Sequence, residues 1–118
     1  MKRSIDAIEH AGEIMKKVND AVLLTTKKDG QVNTMTISWG GMAIEWGKPL
    51  FITYVRESRF TKEFLDATGE FTVNLPMGEF DKKITAVCGA KSGRDMDKIA
   101  EFGLTLEEPE EVNVPGIR

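Results

Sequence analysis

Two extended runs separated by a glycine turn constrain this chain more than any other feature. Residues 21–27 read A-V-L-L-T-T-K, Lys28-Asp29-Gly30 supplies turn chemistry, and residues 31–38 read Q-V-N-T-M-T-I-S. A D-G pair tolerates the positive backbone angles of a tight turn, so the second run is expected to fold back on the first as an antiparallel strand. Side chains along the second run alternate between faces. Asn33, Met35 and Ile37 fall on one side and Thr34, Thr36 and Ser38 on the other, which makes the second side uniformly small and hydroxylated. Taken alone, such a face reads most simply as the solvent side of a strand.

The remaining elements follow from periodicity. Ile5, Ile8, Ile14, Met15 and Val18 recur at roughly helical spacing and predict an amphipathic helix over 5–18, with Gly12 weakening its middle. After the hairpin, 39–49 reads as a loop punctuated by Gly40, Gly41, Gly47 and Pro49, carrying Trp39 and Trp46. Those tryptophans either cap the core or a subunit interface, or touch a ligand. Residues 50–55 (L-F-I-T-Y-V) and 71–75 (F-T-V-N-L) are β-prone, the latter ended by Pro76. Between them a helix is expected from an N-cap at Ser58 to a left-handed stop at Gly69. Phe80, Ile84 and Val87 mark a short helix, and Met96, Ile99 and Phe102 another ending at Gly103. Leu104 and Leu106 fit a short extended piece, followed by an acidic, irregular tail. Hairpin-linked strands with helices outside predict a mostly β fold with flanking helices, a small barrel or curved sheet rather than a doubly wound one. No G-x-G-x-x-G follows the first strand.

Composition narrows the functions. At 118 residues the expectation is one domain, 1–118. A net charge of −3 argues against a general nucleic-acid binder. The longest apolar runs are a few residues, and the N-terminus carries acids where a secretory signal needs an apolar core, so no membrane span and a cytoplasmic location are expected. One cysteine (Cys88) and one histidine (His10) exclude an internal disulfide and make a His-based metal site or catalytic triad improbable within one chain. Any redox chemistry has to be carried by a bound cofactor.

One segment is shaped for an anion. Arg56, Ser58, Arg59 and Thr61 lie within six residues, after a strand and at the mouth of a helix. Guanidinium forks, hydroxyls and unpaired helix N–H groups all favour a phosphate there. The spacing fits equally well a capping serine with arginines that are solvated or paired with Glu57 and Glu63.

Four motifs together point further. N-T-M-T-I-S-W-G, V-R-E-S-R-F-T-K-E-F-L, G-E-F-T-V-N-L-P and C-G-A-K-S-G-R-D-M-D-K-I resemble, in order and spacing, the flavin reductase-like family that includes flavoredoxin. The resemblance spans about residues 21–106. It implies an FMN-binding split β-barrel that works as a homodimer with the flavin near the interface. Members of that family continue with further strands, so the barrel is expected to be incomplete within these 118 residues. The resemblance places Asn33, Thr34, Met35, Thr36, Ile37 and Ser38 along the isoalloxazine and ribityl chain, and Arg56, Ser58, Arg59 and Thr61 around the phosphate. Asn74 and Pro76 end a strand beside the site, and Lys91, Ser92 and Lys98 match the later motif. The implied function is an oxidoreductase moving hydride from NAD(P)H to bound FMN and on to an acceptor. A flavoredoxin-like electron carrier without its own NAD(P)H activity, or a shortened interaction protein without catalysis, fits the same motifs. Cys88 is expected to be buried and inert.

Overall fold

The hairpin forms in continuous register. Strand β1 (Val22–Lys28) pairs antiparallel with β2 (Gln31–Ile37), from Val22 opposite Ile37 to Lys28 opposite Gln31. Asp29 and Gly30 sit at φ +50° and +81°, the left-handed pair that matches the twist of the two strands. The structure is a computed structural model and describes residues 3–77, 81–109 and 111–117.

Apolar cross-strand pairs Val22–Ile37 and Leu24–Met35 stack on one face of the hairpin and form the core with Val18. Val18 comes from α1 (Ala11–Asn19), and Ile14, Phe51, Val55, Phe71, Val73 and Leu75 pack around the cluster. This helix starts later than the periodicity predicts. Asp6 Oδ1 accepts the Ile8 N–H at 2.9 Å, a local turn that competes with helix, and Ile5 and Ile8 stay exposed.

The loop expected over 39–49 is instead a second hairpin. Strand β3 (Gly40–Glu45) pairs antiparallel with β4 (Lys48–Thr53), and Trp46 and Gly47 turn the chain at φ +54° and +72°. Its glycines disguised the strand. Gly40 is required where it stands, because at φ +155° a Cβ would collide with the Ile52 carbonyl oxygen across the ladder. Trp46 projects from the turn with 91% of its surface exposed, so it covers no core within this chain.

Helix α2 (Phe60–Thr68) is stopped by Gly69 at φ +68°, whose N–H bonds Leu65 O at 2.8 Å. Strand β5 (Thr72–Asn74) then joins the free side of β1, giving a three-stranded sheet in the order β2-β1-β5. Helices α3 (Lys83–Ala90) and α4 (Lys98–Glu101) follow. Phe80, expected to open the first of these, lies outside the described residues. Met96 falls outside α4, which is capped by the Asp97 carboxylate accepting Ala100 N–H at 3.1 Å. The tail is more ordered than its composition suggests, since β6 (Leu106–Glu107) pairs with β7 (Gly116–Ile117).

The fold is thus mostly β with helices outside, as expected. Among the described residues the sheets stay separate and no barrel closes. The chain exposes 8029 Å², against about 6,400 Å² for a compact monomer of its 13.1 kDa mass.

Candidate functional site

Strand β2 is covered on both faces, which the alternation alone did not reveal. Met35 and Ile37 enter the core. On the other side the threonines meet the helices rather than solvent. Thr36 Oγ1 donates to Thr85 O of α3, Thr34 Oγ1 donates to Leu24 O at 3.2 Å, and Lys98 Nζ of α4 donates to Thr34 O at 2.9 Å. Such a strand is rigid, because its polar groups are bonded to three neighbouring elements.

At the C-terminal end of β2 the covering stops and a cavity of about 230 Å³ opens. Its walls come from three stretches: Met35, Thr36, Ile37, Ser38 and Trp39; then Tyr54; then Arg56 and Arg59. The result combines three hydroxyl-bearing side chains, two aromatic rings (one of them the Tyr54 phenol) and two guanidinium groups around one hollow. Trp39 is half exposed, and the Arg56 guanidinium carbon lies 4.9 Å from the centre of its ring, so cation–π attraction holds the arginine at the rim. Helix α2 opens at Arg59 without a side-chain cap, and that N-cap residue lines the cavity. Ser58, the cap suggested by composition, is exposed one residue before that position and does not line the cavity.

Arg59 carries a second load. Its Nη1 donates to Gly89 O at 3.0 Å and its Nη2 to Cys88 O at 3.3 Å, so it binds carbonyls of the last turn of α3. Both bonds oppose a cation to the negative end of a helix. A guanidinium has five N–H donors, which leaves three for the cavity. Lys98 reaches the same helix end from below, donating to Cys88 O at 2.9 Å as well as to Thr34 O. Only 4% of its surface is exposed.

Burial pushes the Lys98 amine below its ordinary value of 10.5; Cys88 opposes that shift and nearby Arg59 adds to it. A neutral amine has two N–H donors, enough for both carbonyls. The unfolded chain therefore holds the Lys98 proton more tightly than the folded one. Below the depressed folded value the penalty is complete, and stability rises with pH from there towards 10.5. Urea midpoints compared across that window should climb more steeply for the wild type than for Lys98→Met; parallel curves would refute it. Burial also raises the Cys88 thiol, with Lys98 pulling the other way, and the side chain is fully enclosed.

The other residues singled out from sequence lie elsewhere. Asn33 and Thr61 are buried and bonded to each other, Nδ2 to Oγ1 at 2.8 Å, which ties β2 to α2. Asn74 joins strands: its Nδ2 donates to Thr25 Oγ1 at 3.1 Å and its Oδ1 accepts from Ile117 N at 2.8 Å. Lys91 is the exposed C-cap of α3, and Ser92 Oγ accepts Arg94 N–H at 3.1 Å in the loop that follows. Glu63 pairs with Arg94 at 2.9 Å, which leaves Arg56 and Arg59 to the cavity and to α3. Tyr54 was not anticipated. Its position two residues before Arg56, hence on the same side of an extended segment, was the available signal.

A strand end, an aromatic wall and paired guanidinium groups are the group types that suit a flat ligand bearing an anion. The family model of the flavin reductase like domain matches residues 16–118, and the chain belongs to that family. Among solved structures it is similar to the flavoredoxin of Desulfovibrio vulgaris (Miyazaki F), at 26% identity and a TM-score of 0.74, over 82% of this chain and 52% of that one. The FMN-binding domain of a flavin reductases-like enzyme from Shewanella baltica OS155 shares the fold at 20% identity and a TM-score of 0.70, over 91% and 56% of the two chains. An uncharacterized protein of Archaeoglobus fulgidus is 31% identical over 86 residues, 73% of this chain and 48% of its own length. The chain thus spans about half the length of the relatives it matches. No helix among the described residues is long and apolar enough to cross a membrane.

Proposed function

We propose that this chain is an FMN-binding oxidoreductase of the flavin reductase type, located in the cytoplasm, with NAD(P)H as hydride donor. The observation that carries the reading is the cavity itself. Thr36 and Ser38 hydroxyls, the Trp39 and Tyr54 rings and two guanidinium groups meet there, and those are the group types that a ring, a polyol chain and a phosphate require. FMN, when bound, supplies the capacity to accept hydride and pass electrons onward. The protein's part is to bind and orient. Arg59 and Arg56 anchor the phosphate, aided by the uncapped start of α2, while the end of β2 and the two rings hold the remainder. Asn33, Thr34, Thr61, Asn74 and Lys98 support these groups through the bonds described above. Lys91 and Ser92, at and after the C-cap of α3, do not line the cavity.

At about 230 Å³ the hollow is smaller than the roughly 300–1,000 Å³ of an ordinary ligand site. A second wall is needed, and we assign it to another copy of the chain. The surplus exposed area and the exposed Trp39, Ile44, Ile52 and Tyr54 along the second hairpin favour a homodimer with the site at its interface.

Anaerobic mixing of the FMN-loaded protein with NADH or NADPH is expected to bleach the flavin band. Failure to bleach with either would leave the flavoredoxin-like electron carrier, a reading favoured by the Desulfovibrio neighbour. A protein that leaves FMN fluorescence unchanged on titration would eliminate both.

A further inference from the structure

We propose that Lys98 is a positioning residue for Arg59, acting from beneath the cavity through the end of α3 that both side chains bind. The inference rests on the reading of the cavity as a phosphate-bearing flavin site.

Lys98 does not line the cavity. Its amine is enclosed and bonded to two backbone oxygens, one on β2 and one on α3. It therefore acts on a ligand only through what it holds. What it holds is the Cys88 carbonyl, which accepts a second bond from Arg59 Nη2. Arg59 in turn lines the cavity, and its other terminal nitrogen is fixed by the neighbouring Gly89 carbonyl. The chain of contacts runs β2, Lys98, Cys88 carbonyl, Arg59, cavity. Thr36 ties the first turn of α3 to the same strand through Thr85 O, so Lys98 is the matching tie at the other end of the helix.

The physical effect is on orientation. A guanidinium whose two terminal nitrogens are pinned presents its remaining N–H groups in one plane, so less rotamer freedom is lost when a phosphate is gripped. Without Lys98, the Cys88 carbonyl loses its bonded tie to β2, and the plane of Arg59 is set less firmly. The loss falls on the phosphate part of a ligand and spares the ring part, which is held by Trp39, Tyr54 and the end of β2.

The test is a double-mutant cycle read as the ratio of riboflavin to FMN dissociation constants. Wild type, Lys98→Met, Arg59→Ala and the double variant are each titrated by flavin fluorescence, with folding checked by circular dichroism. Lys98→Met is expected to reduce the wild-type preference for FMN about tenfold, and to change the ratio no further once Arg59 is alanine. If Lys98→Met does not fold, Lys98→Gln, which retains a donor on a shorter stem, is titrated instead, with a smaller loss of the same kind expected. Equal weakening of FMN and riboflavin, or an Arg59-independent effect, overturns the inference alone. A wild type that binds the two flavins equally overturns the phosphate reading and the inference with it.

Discussion

Replacing Arg59 by alanine is expected to weaken FMN binding by roughly 10- to 100-fold while changing riboflavin binding far less. The magnitude follows from charge-assisted hydrogen bonds, worth about 1.5–3 kcal/mol each, against a tenfold change in affinity for every 1.4 kcal/mol or so. The asymmetry follows from geometry. Arg59 faces the cavity beside Arg56 at the open end of α2, where an anion gains from the helix and from both guanidinium groups. The substitution also strips the donors from Gly89 O and Cys88 O, so some loss of stability is expected as well. Riboflavin serves as the internal control for that loss, since it shares the ring and polyol chain and lacks the phosphate. Titration of both flavins against both proteins decides the matter, and a similar loss for each would show that Arg59 does not meet the phosphate.

Leu24→Ala is expected to lower stability by about 3 kcal/mol, within the range for large-to-small changes at enclosed sites. Leu24 is fully enclosed, pairs with Met35 across the hairpin and sits at the centre of the cluster with Val18, Val22 and Ile37. For a domain whose total stability is of the order of 5–15 kcal/mol, that is a large share. Ile44→Ala removes the same number of atoms, but from an exposed position on the second hairpin. It should move the urea midpoint of the monomeric chain little. A comparable shift for the two variants would mean that the core lies elsewhere.

The first hairpin was legible because its information is local: Asp29-Gly30 specifies the turn and the β-branched runs on each side specify the strands. The second hairpin was not. G-G-M-A-I-E carries little strand propensity, and Gly40 is present because another backbone comes close, a demand visible only once β4 is beside it. The site divides in the same way. Arg56 and Arg59 suggested an anion site by type and spacing without deciding it, and the cavity gathers both side chains. The enclosure of Lys98 could not be foreseen, since lysine is almost always exposed, and its partners lie on Thr34 and Cys88, far along the chain in one case. Arg59's bonds to α3 reach 29 and 30 residues ahead, beyond any local pattern. Thr34 and Thr36 looked like a solvent face because nothing in the strand itself records that α3 and α4 fold over it.

The separation of the two hairpins has a consequence for how the cavity moves. Among the described residues β3 and β4 bond only to each other as strands, whereas β1 is bonded on both sides. A two-stranded ladder opens at lower free energy than a strand held from both sides, so amide protons of β3 and β4 should exchange with solvent sooner than those of β1. Trp39 precedes β3 and Tyr54 follows β4, so the aromatic wall is mounted on the unit that opens first. Arg59, pinned to α3, stays with the slower one. A ligand in this cavity would be gripped by its anion on a steady frame while the wall beside its ring breathes.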